Sequence, residues 1–423
     1  MQSKSENTKV NKKNILYISH DGMTDSLGQS QVLPYLCGLA ELGYTFYLIS
    51  LDKKEKFNTL NSSIYSICNK HNIHWHPLIY TNRIPILNTI YDLFCMRKIA
   101  IKLNKEHTFD MIHCRGYLPT IIAQRLKQKW EIPLIFDIRG FWINERVDGN
   151  IWNLKNPILK FIYSTLKKKE KFLFKKSETI ISLTKKAIPE IHKIQGGIIP
   201  MQLIEVIPTC VDTDYFTSTS IDKTLRDKTL YNYGIKESDF IISYLGSLST
   251  WYLPDEMFDF FIRLLIQKPE AKFLIITQDK HAPYKELALK KGISIEKIIL
   301  ISAIRSEVPT LLSLSSASLF FIKPAYSKIA SSPTKLAELL SMGIPVICNG
   351  GIGDTEEIIR ESNTGIICNE FNDNAYDKAI KEFFANHDLI NGKRLREKSI
   401  ELFGLKMGVK KYEAMYRKTM HQE

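Results

Sequence analysis

The segment Ser331-Ser332-Pro333-Thr334-Lys335-Leu336-Ala337-Glu338 holds the densest chemistry in the chain. Ser331 and Ser332 stand where a helix cap belongs, and Pro333 suits the first helical position. Lys335 and Glu338 then lie three residues apart on one face of the first two turns. A capped helix start with an added ammonium suits an anion such as a diphosphate. A carboxylate one turn further on can accept hydrogen bonds from two vicinal hydroxyls, the chemistry of holding a ribose. Without a ligand the same pair would be a surface i,i+3 contact worth about 0.2–0.5 kcal/mol. After the strand-like IPVIC, the loop NGGIGD places Gly350 and Gly351 where further N–H donors could face a ligand. A third loop, HDGMTDSLGQSQVL, follows the strand-like ILYIS, and its Gly22 and Gly28 could bring backbone N–H groups to a ligand. It is no dinucleotide fingerprint: G-x-G-x-x-G is missing, and Asp52 only loosely offers the expected acidic residue. The plain alternative for this loop is a glycine-rich turn.

The elements that must position these loops alternate along the chain. Short β-branched runs (ILYIS, TFYLISL, DMIHC, PLIFDI, ETIISL) are separated by helix-length stretches such as Val32 to Leu42. That order predicts βαβ crossovers and a parallel sheet. The pattern breaks at VIPTCVDTDYFTSTS and resumes with FIISYLG, Asp255 to Ile266, KFLIIT, KIILIS, SLFFI, IPVIC and TGIIC. Two αβ units therefore stand in series, with a boundary near residue 215 where a proline-led turn enters a Ser/Thr/Asp-rich stretch. Open parallel sheets bind ligands at the carboxyl ends of their strands, so the site is expected between the units.

A chain of 423 residues, 44% apolar, 24% charged and 11% aromatic, has the composition of a folded globular protein and excludes a disordered or fibrous one. No apolar run approaches the roughly 20 residues of a membrane span. The polar, lysine-rich N-terminus lacks the pattern of a secretory signal, which predicts a cytoplasmic location. Seven scattered cysteines without metal-ligand spacing predict buried free thiols. The net charge of +13 is lopsided: through Asp214 there are 30 Lys and Arg against 19 Asp and Glu, and beyond it 28 against 26. Lys167, Lys168, Lys169, Lys171, Lys175 and Lys176 alternate with Leu166, Phe172, Leu173 and Phe174. This pattern fits either an anionic membrane surface or an ordinary solvated helix face. No signature of a nucleic-acid-binding module is present.

The order of the GQSQ loop, DMIHCRG, VIPTCVDTDYF, SYLGS and SPTKLAELLSMGIPVICNGG resembles the GT-B retaining glycosyltransferases, specifically glycosyltransferase family 4. VIPTCVDTDYF is similar to the family's I-P-N-G-V-D segment, with Thr209 and Cys210 in place of Asn-Gly, and KLAELLSMGIPVI to its L-E-A-M-A-x-G-x-P-V-I segment. The resemblance covers nearly the whole chain. It implies two Rossmann-like, doubly wound α/β domains facing across a cleft: an acceptor domain at 1–215, a nucleotide-sugar donor domain at 216–400, and a terminal helix at 401–423 returning to the first. Phe403, Tyr412 and Met415 form a stripe suited to that helix.

Three departures accompany the resemblance. Ala330 stands where the family has the first of two glutamates, Glu338 being the second. Gly246 is followed by Ser247, Leu248, Ser249 and Thr250 where the family has the Arg and a nearby Lys that clamp the diphosphate, so that Ser249, Thr250 and the Ser332, Thr334 and Lys335 helix start are the expected replacements, with Lys323 and Lys328 as further candidates. Arg139 stands where a histidine is usual, with Asp137, Glu145 and Arg146 nearby. The residues expected to carry the transfer are Lys335, Glu338, Arg139 and Asp137. Those expected at the donor are Gly28, Gln29, Gly246, Ser247, Thr250, Lys323, Ser332, Thr334, Lys335, Leu336, Glu338, Gly350 and Gly351. No metal or cofactor is expected beyond the donor, since a D-x-D at a strand end is absent and Asp212-Thr213-Asp214 belongs to the interdomain segment. The resemblance implies a retaining transfer from a nucleoside-diphosphate sugar to a lipid-linked or saccharide acceptor in cell-surface polysaccharide or glycoconjugate synthesis, by a cytoplasmic protein peripheral to the inner membrane face. The alternatives are a nucleotide-sugar epimerase or hydrolase of the same architecture and a catalytically weakened sugar-binding subunit.

Overall fold

The computed structural model describes residues 13–81, 85–386 and 391–421, so most of the polar N-terminal run lies outside the described residues. The first half runs β1 (Lys13–Ser19), α1 (Ser26–Gln31), α2 (Leu33–Glu41), β2 (Tyr44–Asp52), α3 (Lys54–Lys70), β3 (Ile73–Ile79), α4 (Pro85–Glu106), β4 (Met111–Arg115) and α5 (Tyr117–Trp130). It continues through β5 (Leu134–Asp137), α6 (Trp142–Asp148), α7 (Pro157–Lys176), β6 (Thr179–Ser182), α8 (Ala187–Gln195) and β7 (Leu203–Val206). The second half runs α9 (Lys223–Asn232), β8 (Ile241–Leu245), α10 (Pro254–Gln267), β9 (Lys272–Ile276), α11 (Ala282–Lys290), β10 (Ile298–Ile301), α12 (Val308–Leu312), β11 (Ala317–Phe320) and α13 (Thr334–Ser341). It ends with β12 (Val346–Cys348), α14 (Thr355–Ser362), β13 (Gly365–Ile367), α15 (Asp373–Asn386), α16 (Gly392–Phe403) and α17 (Leu405–Thr419).

Among the described residues the strands form two sheets, ordered β3-β2-β1-β4-β5-β6-β7 and β10-β9-β8-β11-β12-β13, and every pairing is parallel. In both sheets the order reverses beside the first strand, the switch point at which doubly wound sheets open a crevice at their carboxyl edge. Helices cover both faces, so the strands read as continuous apolar runs: all nine residues of β2 are buried. Each half has its own core, the second built around Phe258, Phe260, Phe261, Phe273 and Tyr376.

The terminal helix joins the halves. Phe403 lies in the second core, whereas Tyr412, Met415 and Tyr416 of α17 lie in the first. Close approach to α2 depends on missing side chains: a Cβ at Gly408 would stand 2.8 Å from the Tyr35 ring and from Cys210 Sγ, and one at Gly38 would meet Val409 at 2.7 Å. Val211 pairs with the α16–α17 junction, its N–H donating to Phe403 O and its carbonyl accepting from Leu405 N. The seven cysteines are free, and five of them are buried. Among the described residues no helix is long and apolar enough to cross a membrane.

Candidate active site between the two halves

Helix α13 begins at Thr334, with Pro333 in the capping position at φ −68° and ψ 119°. The expected serine cap is displaced by one residue because the interdomain segment engages Ser332. Thr209 Oγ1 donates to Ser332 O at 2.7 Å, and Thr209 N donates to Ser332 Oγ at 3.3 Å. The amides at the first two helical positions, Thr334 and Lys335, lie beyond reach of an intrahelical carbonyl. The start of α13 therefore presents donors where the two halves meet.

Lys335 and Glu338 do not form a surface pair. Both are buried, and Lys335 Nζ stands 3.8 Å from the ring centre of Tyr244 and 3.7 Å from that of Tyr252, with no hydrogen-bond partner. Burial drives the pKa of this ammonium well below 10.5, with Glu338 opposing. The backbone of Gly246, at φ +110°, lies beside it without a side chain, and a Cβ there would stand 3.5 Å from Nζ. Burial raises the Glu338 carboxyl to about 7, opposed by Arg305 and Lys335. Arg305 Nη1 is 3.6 Å from Glu338 Oε1, and its guanidinium lies over the rings of Tyr215 and Phe216. A cation without a partner and a carboxylate titrating near neutrality, one turn apart at a helix start, form a site able to hold a charged, hydroxyl-bearing ligand.

Across the seam, the carboxyl ends of β1, β4 and β5 supply the opposing wall. Asp137 is fully buried; its Oδ2 accepts from Tyr412 OH at 2.8 Å. His113 Nε2, Arg139 Nη1 and Arg115 Nη1 surround it at 3.8, 3.9 and 4.0 Å. Burial alone would raise its pKa, but Arg139, His113 and Arg115 together hold the carboxyl below its usual range. Arg139 takes the left-handed backbone conformation, φ +52°, and its Nε and Nη1 are buried without hydrogen-bond partners. A cavity of about 380 Å³ opens here, bounded on one side by Arg115, Arg139 and Arg146 and on the other by Ser331, Ser332 and Thr334.

The family described as Glycosyl transferases group 1 matches residues 226–401, and Glycosyltransferase Family 4 matches residues 30–215. The chain belongs to the group 1 glycosyltransferases of GT-B fold. Solved structures share the transferase's architecture. A glycosyltransferase from Rickettsia africae is 17% identical over 98% of this chain and 100% of its own, with a TM-score of 0.70. Anabaena HepE in complex with UDP and glucose is 12% identical over 96% of this chain and 99% of its own, with a TM-score of 0.68. A UDP-N-acetylglucosamine 2-epimerase, described as putative, from Listeria monocytogenes is 14% identical over 97% and 98%, at 0.60. No curated protein matches the chain in sequence. Likeness at these identities shows the fold alone, and the two family matches show the transferase.

Several residues expected at the donor are occupied otherwise in the transferase. Lys323 Nζ donates to Asp148 O at 3.1 Å, and Lys328 Nζ pairs with Glu145 at 2.9 Å over the Trp251 ring, so both fasten the second half to α6. Gly28 is buried inside α1, where a Cβ would run into the Gly22 carbonyl, and Gln29 donates to Thr24 O. Gly350 N donates to the Asn369 side chain, and Leu336 belongs to the second core. Ser247 bonds Ser249 and Asp279, while Thr250 and Gly351 remain exposed at φ +51° and +78°. Asp137 lies behind Arg139 and Arg115, placed to orient them and not to touch a substrate. The structure thus brings Ser332, Thr334, Lys335, Glu338 and Gly246 together on one side of the seam and Arg139 on the other.

Ala330 is fully buried in a cluster of the first half with Tyr117, Phe136, Ile138 and Phe141. A glutamate there would bury an unpaired charge among apolar groups. Arg305, Arg115 and the Tyr244–Tyr252 box were not among the expected site residues. The signal available for the two arginines is their position at or just after strand ends that face the cleft.

Proposed function

We propose that the transferase takes its sugar from a nucleoside-diphosphate sugar and passes it, with retention, to a saccharide or lipid-linked acceptor held by the first half. The observation that carries this reading is the unpartnered Lys335 ammonium beneath Gly246, one turn from the Glu338 carboxylate at the start of α13. The diphosphate lies on the Thr334 and Lys335 amides and draws on the ammonium across Gly246. Glu338 accepts from the ribose hydroxyls. As the anomeric bond breaks, negative charge grows on the leaving diphosphate, and these fixed donors stabilise it. Arg139 approaches the same region from the opposite wall and adds a second cation. The protein's own donors do this work without a metal ion.

Thermal-shift titration with UDP, GDP and their sugars tests the reading, because a ligand of the native state raises stability with the logarithm of its concentration. Lys335→Ala and Glu338→Ala should each abolish the shift while remaining folded. Unchanged donor affinity in both variants contradicts the assignment. Turnover of the donor without acceptor would instead indicate an epimerase or hydrolase, and binding without transfer in a lipid extract a sugar-binding subunit.

An anionic membrane is the proposed setting, in the synthesis of a cell-surface polysaccharide or glycoconjugate. Helix α4 leaves Ile86, Leu87, Ile90, Tyr91 and Phe94 exposed along one stripe, with Leu87, Ile90 and Phe94 at 61%. Helix α7, on the other side of α5, exposes Ile158 and Phe161 at its start and Lys168, Lys171, Lys175 and Lys176 beyond. Apolar side chains flanked by lysines suit insertion beneath anionic headgroups. The double variant Leu87→Asp, Phe94→Asp should lose flotation with phosphatidylglycerol vesicles, and retained flotation contradicts the placement.

A further inference from the structure

The cavity of about 380 Å³ at the seam, walled mainly by the first half and closed by Ser331, Ser332 and Thr334 of the second, has an unusual balance of charge. Its lining includes three guanidiniums, Arg115, Arg139 and Arg146, and two carboxylates, Asp21 and Glu145. Both carboxylates are already engaged: Asp21 holds Arg115 Nε at 2.9 Å, and Glu145 holds Lys328 at 2.9 Å. Arg139 stands 3.9 Å from the buried Asp137, with two of its nitrogens unpartnered. Among the described residues, no ion pair or hydrogen bond is formed by the Arg146 side chain. Its guanidinium lies 5.0 Å from the centre of the Trp142 ring and lines the cavity. His20, at the end of β1, adds a buried Nε2 without a partner.

Unpaired, partly desolvated guanidiniums are costly in a folded protein unless an anion completes them. Burial pulls the Arg146 pKa down, with Glu145 and Tyr80 opposing. The remaining wall fits a sugar. The Tyr117 and Trp142 rings lie side by side, 6.2 Å apart and inclined by 31°, offering apolar faces between polar groups.

We propose that this cavity binds a sugar carrying an acidic group, a carboxylate or a phosphate, and that Arg146 is the fork that grips the anion. The inference deepens the proposed function and rests on it, since it gives the chemical class of the acceptor: an acidic saccharide, not a neutral one. Arg146 is chosen over its neighbours because Arg115 is committed to Asp21 and Arg139 faces Asp137. The donor diphosphate is assigned to the opposite wall, at α13 and Gly246, so the two anions are separable by experiment.

The test is calorimetric titration of the purified full chain with D-glucuronate, glucose 6-phosphate, glucose and UDP. Saturable binding of glucuronate or of glucose 6-phosphate, with glucose at least about tenfold weaker, is the expected result, and the tighter of the two acids identifies the anion. Arg146→Gln should weaken that acidic sugar about 10- to 100-fold, the loss of a hydrogen-bonded charge, and leave UDP affinity unchanged. Arg146→Lys, which keeps the charge and loses the fork, should fall between. The proposal is overturned if both acidic sugars bind no tighter than glucose to the unmodified chain, a comparison that needs no variant to fold. It is also overturned if folded Arg146→Gln keeps the affinity, or loses UDP in step with the sugar. Failure of UDP to bind while the acidic sugar binds would remove the donor assignment and leave this one standing.

Discussion

Replacing Lys335 by Met should stabilise the transferase and abolish donor binding in a single step. The ammonium is buried between Tyr244 and Tyr252 with no hydrogen-bond partner, and burial depresses its pKa well below 10.5. Each unit of depression corresponds to about 1.4 kcal/mol. At pH 7 the cost has a ceiling of about 5 kcal/mol, since a lysine held below that pH escapes further penalty by releasing its proton. Cation–π attraction from two rings returns roughly 1–2 kcal/mol of any charged population. Methionine fills a similar volume and makes favourable sulfur–ring contacts worth about 0.3–1.5 kcal/mol. The expectation is added stability at pH 7, bounded by that ceiling of about 5 kcal/mol and read as a raised melting temperature. The pH dependence has a definite sign. The native state sheds a proton that the unfolded chain keeps up to pH 10.5, so the native deficit is largest at low pH and disappears as pH rises toward 10.5. Urea unfolding at pH 7 and pH 9.5 should therefore show a gap between variant and parent that narrows at the higher pH. A variant less stable than the parent at pH 7, or a gap that widens with pH, refutes the reasoning.

Further expectations concern the neighbours of that lysine. Glu338 titrates at about 7, so UDP-glucose, whose diphosphate does not titrate there, should bind about tenfold more weakly at pH 6 than at pH 8; Glu338→Gln should abolish the trend. Gly246→Ala would set a Cβ 3.5 Å from Lys335 Nζ at φ +110°; it should cost at least about 1 kcal/mol in unfolding assays and block UDP in calorimetry. Tyr412→Phe removes the hydroxyl that donates to buried Asp137 at 2.8 Å. Denaturant unfolding should show a loss of about 1–3 kcal/mol, and a loss below about 0.5 kcal/mol would mean that the terminal helix is not tied to the cleft through that bond.

Strand runs such as ILYIS and TFYLISL were legible in the sequence because fully buried parallel strands are written as continuous β-branched and aromatic stretches. The runs IHWHPLI of β3 and LIEV of β7 were not, since one carries two histidines and a proline and the other is short and only partly buried at the edge of its sheet. The pairing of Lys335 with Glu338 on one helix face was legible because helix-start chemistry is local. Its environment was not: Tyr244 comes from β8, Tyr252 from the turn that follows it and Arg305 from the segment after β10, and only the packed sheet brings them beneath α13. Lys323 and Lys328 looked free for a phosphate, yet their partners Asp148 and Glu145 lie in the other half of the chain. The helix cap moved from Ser332 to Pro333 for the same reason, since Thr209 takes the serine. Spacing along the chain carries what a single element does; it carries nothing of what two elements share.

A crystal structure of the transferase with UDP bound tests the central claim most directly. The account predicts phosphate oxygens on the amides of Thr334 and Lys335, within reach of the Lys335 ammonium across Gly246, and ribose hydroxyls on the Glu338 carboxylate. A nucleotide lodged elsewhere, with Lys335 still enclosed by its two tyrosines and contacting no phosphate, would contradict it.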